Sequence, residues 1–93
     1  MLKSVALPDG LTLARSTPEF TATDLPAGLL AEHHLAAGVW GVLRVARGRV
    51  VFVAEASGEH RIVLAGESQV IEPEVPHHIE PLDDVALAID FYR

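Results

Sequence analysis

"WGVLRVARGRVVFVAE", residues 40–55, holds two runs rich in β-branched residues on either side of Arg47–Gly48. A glycine turn between two such runs reads as a β-hairpin, with strands at 40–46 and 49–55. Outward from this pair the same texture repeats. Further short strands are expected near 29–35, 60–64, 69–72, 77–80 and 85–92, with turns at "SGE" (57–59) and "LDD" (82–84). Prolines at 8, 18, 26, 73, 76 and 81 and glycines at 10, 28, 38, 41, 48, 58 and 66 leave almost no window for a three-turn helix. Residues 1–28 are less regular and read as an extended arm carrying the first strand or strands. The expected fold is all-β, a small antiparallel sandwich or barrel in one domain over residues 1–93.

Composition narrows the function. Hydrophobic residues make up 49% of the 93, which fits a globular domain. There is no cysteine, so disulfides, thiolate nucleophiles and Cys-based zinc sites are excluded. Thirteen acidic against seven basic residues give a net charge of −6, which argues against a nucleic-acid partner. No apolar run reaches the length of a membrane span or a signal peptide, and a cytoplasmic protein is expected. A domain this small buries a modest share of its surface, and a homodimer would cover its edges.

Two histidine pairs, His33–His34 and His77–His78, stand far apart in the chain. Imidazole is neutral or charged near physiological pH and ligates metals through a neutral nitrogen, so the pairs read as two halves of one site. Strand alternation separates the members of each pair. Leu29, Ala31, His33 and Leu35 share the more apolar face, and His77 goes with Ile79. His33 and His77 are therefore expected to point inward, and His34 and His78 outward.

The turn "IEPEVPHHIEP" (71–81), taken with "RVARGRVVF", resembles the cupin superfamily. Glu72, Glu74 and His77 stand at the proline, glycine and histidine places of the second cupin motif, Pro-x-Gly-x-x-His. Over residues 16–93, "TPEF", "PAGLL", a histidine seven residues before Trp40, "GVWG", "EPEVPH" and "DFYR" together are similar to a family of cupin-like domains of unknown function. That family includes the N-terminal domain of the tellurite-resistance methyltransferase TehB and the stand-alone protein YeaR. The resemblance implies a small cupin-like jelly-roll barrel whose mouth binds a small ligand and, through His33 and His77, a divalent metal (Zn, Fe, Mn or Ni). It departs from the family at Leu35 and Ala36, where relatives carry threonine and lysine. The second histidine of the first cupin motif falls on Leu35, and its glutamate would be sought at Gly38, Val39 or Trp40. Methyl transfer is not expected of residues 1–93.

The remaining candidates rank lower. Glu80 lies three residues from His77 but on the opposite face; it is the third metal ligand to consider, with Asp90 or water after it. Asp90 reads as a rim residue and His60 as exposed. Trp40, the only tryptophan, reads as core or as part of a ligand cavity. Tyr92 and Arg93 are candidates for a dimer contact. Ser16, Ser57 and Ser68 sit in turn-like contexts outside any nucleophile elbow, and Asp83 and Asp84 read as turn chemistry. Two classes of function stand: a metal-dependent small-molecule cupin, and a non-catalytic module for ligand sensing or self-association.

Overall fold

The computed structural model describes residues 1–93. After a single 3-10 turn at Leu2–Ser4 the elements are β1 (Leu13–Ser16), β2 (Phe20–Thr21), α1 (Ala27–Leu30), β3 (Trp40–Arg47), β4 (Arg49–Ala54), β5 (His60–Leu64), β6 (Ser68–Ile71), β7 (His77–Pro81) and β8 (Ala86–Tyr92). All paired strands are antiparallel, and no helix is long and apolar enough to cross a membrane. One sheet runs β1-β8-β3-β6, with β2 also on β8; the other runs β5-β4-β7. The all-β antiparallel expectation holds. Neither sheet closes on itself, so the architecture is two packed sheets and not a closed barrel.

The hairpin expected at residues 40–55 does not form. β3 pairs with β6 and β8, and β4 with β5 and β7, so the chain changes sheet at Gly48. The register shows how. Val45 faces Leu87 and Arg47 faces Ala86, so Ala46 is an extra residue, a β-bulge that bends β3 at its end. Gly48 then takes φ +76°, in the left-handed region, and turns the corner. The actual hairpin is β4–β5, closed where the Ala54 N–H donates to the Glu59 carbonyl at 2.8 Å.

The strand expected at 29–35 is also different. Pro26 precedes one helical turn, α1, because a fixed φ near −65° starts a helix readily. Leu25, just before the turn, is buried, and Leu29 within it packs against the core. Only His33 and Leu35 make β-bridges, to His77 and Pro73. The N-terminal arm does supply β1 and β2, laid end to end along one edge of β8. Thr17 bridges their gap: its N–H donates to the Ile89 carbonyl at 2.9 Å, and its Oγ1 accepts from the Ile89 N–H at 3.0 Å.

Leu43 and Val45 (β3), Ile71 (β6) and Leu87 and Ile89 (β8) face Val50 and Phe52 (β4), Val63 (β5) and Ile79 (β7) to form one apolar core. On the other face of the larger sheet Asp90 is a clamp and not a loose rim residue. It accepts from Arg44 Nε at 2.7 Å, Arg44 Nη2 at 2.9 Å and Ser16 Oγ at 2.7 Å, tying β8 to β3 and β1. The Arg44 guanidinium holds the Asp90 carboxyl below its ordinary range. Ser16 and Ser68, read from sequence as turn residues, lie in β1 and β6.

Candidate functional site

The turn between β6 and β7 builds the site. Glu74, which the sequence resemblance sets at a glycine place, has φ 61°, the conformation glycine would adopt there without strain. Its N–H donates to the Leu35 carbonyl at 2.8 Å, which locks the turn to the segment after α1. The chain then enters β7 at His77, whose backbone exchanges two hydrogen bonds with His33, at 2.7 and 2.8 Å. Directly opposed residues of an antiparallel pair put their side chains on one face. The two rings accordingly meet edge to face, with centroids 5.5 Å apart and planes at 86°.

His77 is 3% exposed and stacks on Phe52 at 5.4 Å. Its Nδ1 lies 3.0 Å from the Val75 carbonyl. A carbonyl only accepts, so the proton sits on Nδ1 and the lone pair on Nε2. Burial pushes the His77 pKa below its ordinary value, which keeps the ring neutral. No protein group bonds Nε2, yet no buried side-chain nitrogen in the molecule lacks a partner, so this atom is reached from open space. His77 lines a cavity of about 210 Å³ together with Phe52, Ala54, Val70, Ile71 and Val75, the polar Ser57, Glu59 and Glu72, and Leu2 and Val5 of the N-terminal arm. Gln69, 1% exposed, tethers the arm by donating Nε2–H to the Leu2 carbonyl at 2.8 Å.

His33 is half-buried and lines a second cavity of about 390 Å³, together with His34. The inward histidines thus touch while belonging to the walls of different cavities. Trp40 is half-buried and lines neither. His34 is exposed, as is His60 at the start of β5. Tyr92 pairs with Leu13 and Trp40 inside the larger sheet, and the Arg93 backbone exchanges hydrogen bonds with Thr12 at 3.1 Å.

His78 points away from His77, onto the outer face of the smaller sheet. Its Nε2 meets Glu80 Oε2 at 2.6 Å and its Nδ1 meets a carboxylate oxygen of Glu55. Both nitrogens must donate, so the ring is an imidazolium, and Glu80 first and Glu55 second raise its pKa. Glu80 is therefore committed to His78. Alternation along β7 already put those two on one face. Glu55 had no signal in the sequence, because its approach depends on the β4–β7 register. No group of three or more His, Asp or Glu side chains is arranged to hold a metal ion.

Comparison with known proteins fits this geometry. The E. coli strain K12 crystal structure of a protein solved by a structural genomics consortium superposes with a TM-score of 0.89 at 28% identity, covering 96% of both chains. The crystal structure of TehB from Haemophilus influenzae superposes with a TM-score of 0.79 at 26% identity, over 88% of this chain and 31% of that one. Among curated proteins, the Haemophilus influenzae "Probable S-adenosyl-L-methionine-dependent methyltransferase TehB" is 27% identical over 84% of this chain. The chain spans 29% of the length of that relative. Residues 15–89 match the TehB-like domain as a family, and with most of its length inside that match the chain belongs to the TehB-like domain family.

Proposed function

We propose that this domain is a small-molecule binding module of cupin type, whose ligand enters the 210 Å³ cavity and donates a hydrogen bond to His77 Nε2. The observation that carries this reading is His77 itself: its Nδ1 proton is held by the Val75 carbonyl, burial favours the neutral ring, no protein group bonds Nε2, and the residue lines the cavity. Phe52, Ala54, Val70, Ile71 and Val75 offer an apolar surface and Ser57, Glu59 and Glu72 a polar one, so the ligand has an apolar body and an N–H or O–H group for His77. A cavity of about 150 Å³ already takes benzene, so a substituted aromatic ring fits here.

A divalent ion has one supporting feature. Metal-ligating histidines also donate their second nitrogen to a carbonyl, as His77 does to Val75. Against it, His33 faces the other cavity, Glu80 is taken up by His78, and two neutral ligands hold a divalent ion weakly. The donor set favours the organic ligand.

Titration with phenol and with toluene, followed by backbone amide NMR, tests the proposal. Phenol is expected to shift Phe52, Ile71 and His77 saturably and to bind roughly three- to tenfold tighter than toluene, the value of one hydrogen bond of about 0.5–1.5 kcal/mol. In His77→Phe, which keeps the stack on Phe52, the two should bind alike. Absence of saturable shifts at these residues with either probe would rule the proposal out.

A further inference from the structure

The 390 Å³ cavity has a different chemistry, and it stands out in a chain of net charge −6. Of the seven basic residues, Arg44, Arg47, Arg49 and Arg61 each pair with a carboxylate. The three left over are Lys3, Arg15 and Arg93, and the last two both line this cavity, with His33 and His34 beside them and no acidic side chain in the lining. The Arg15 guanidinium sits over the Phe91 ring, its Cζ 4.3 Å from the centroid. A ring over one face of a guanidinium leaves N–H donors free, and neither Arg15 nor Arg93 spends a side-chain donor on any protein group. Leu35, Val39 and Phe91 add an apolar surface next to these donors.

We infer that this cavity is a second binding site, for a small organic carboxylate with an apolar body. The carboxylate lies in the plane of the Arg15 fork, where two parallel N–H···O bonds form, with Arg93 as the second cation. The apolar body lies on Leu35, Val39 and Phe91. The site is distinct from the His77 cavity, since none of its lining residues is shared with that cavity.

Benzoate, benzyl alcohol and inorganic phosphate, titrated separately at constant ionic strength and read by amide NMR, test it. Benzoate should give saturable shifts at Arg15, His34, Val39, Phe91 and Arg93. Benzyl alcohol lacks the charge and phosphate the apolar body, and each should bind at least fivefold more weakly. Arg15→Gln should weaken benzoate binding at least tenfold, since hydrogen bonds to charged groups are worth about 1.5–3 kcal/mol. Arg15→Lys should recover only part of the loss, because a point charge lacks the planar fork. Lys3→Gln removes the same charge outside the cavity and should change nothing. Arg15 is exposed on β1, so an unchanged amide spectrum elsewhere will show that its variants fold. Equal losses in Arg15→Gln and Lys3→Gln, phosphate binding as tight as benzoate, or no saturable shifts at these residues would each overturn the inference.

Discussion

Gly48→Ala is expected to cost about 2–5 kcal/mol, the sum of left-handed strain near 1–2 kcal/mol and an overpacking term of about 1–3 kcal/mol. At φ +76° any L side chain is strained, and here there is also no room. A Cβ at this position would lie 2.6 Å from the Asp84 carbonyl oxygen and 3.0 Å from Val85 Cγ1. The nearest atom is backbone, so it cannot swing aside. Thermal unfolding should show the midpoint lower by roughly 8 °C or more, at about 4–8 °C per kcal/mol for a domain of this size. Gly58→Ala is the control: its φ is +73° but nothing lies within 4 Å of the added methyl, so it should lose only about 1–2 kcal/mol. Equal losses in the two variants would mean that the sheet-switching corner is not tightly packed.

Leu87→Ala is expected to cost about 2–5 kcal/mol, the range for removing a buried leucine side chain and leaving a cavity. Leu87 is 0% exposed and sits on β8, opposite Val45 on one side and Phe20 on the other, so the neighbours that would have to collapse are themselves held in two ladders. Leu13→Ala, at a leucine 56% exposed on β1, should stay within about 0.5 kcal/mol. Urea unfolding of both variants measures the difference, and a Leu87→Ala loss no larger than that of Leu13→Ala would contradict the core described here.

The hydrophobic alternation told which residues face inward better than it told which strands pair. In residues 40–55 the inward positions are Leu43 and Val45, then Val50, Phe52 and Ala54. A two-residue hairpin pairs odd with even positions across its turn, so it would show the same phase as a chain that bulges at Ala46 and changes sheet at Gly48. Nothing local separates the two. What decides is the partner strand, and β8 begins only at Ala86, far along the chain from Gly48. The histidines show the converse. The strand read over 29–35 begins inside a helical turn, which holds Leu29 and Leu30, yet alternation holds across the short bridged piece from His33 to Leu35, and that was enough to bring His33 against His77. The motif position of Glu74 was legible through the turn it occupies, and the structure gives it the φ of the glycine it replaces. The lid formed by Leu2 and Val5, the buried tether at Gln69 and the carboxylate of Glu55 against His78 all depend on contacts between distant segments that no spacing encodes.

The imidazole nitrogens of His77, followed by long-range proton–nitrogen NMR between about pH 4 and 8, give the most direct test of the binding site. His77 should be the Nδ1–H tautomer at neutral pH, with its protonation midpoint below the ordinary value of about 6.5, because burial disfavours its charged form. The sign for folding follows: a depressed folded-state value means the unfolded chain binds the proton more readily, so this contribution to stability is fully present above about pH 6.5 and is lost as the pH falls through the folded midpoint. His78, held between Glu80 and Glu55, should titrate on the other side of that value in the same spectra. A His77 carrying its proton on Nε2, or titrating at or above about pH 6.5, would contradict a lone pair presented to the cavity.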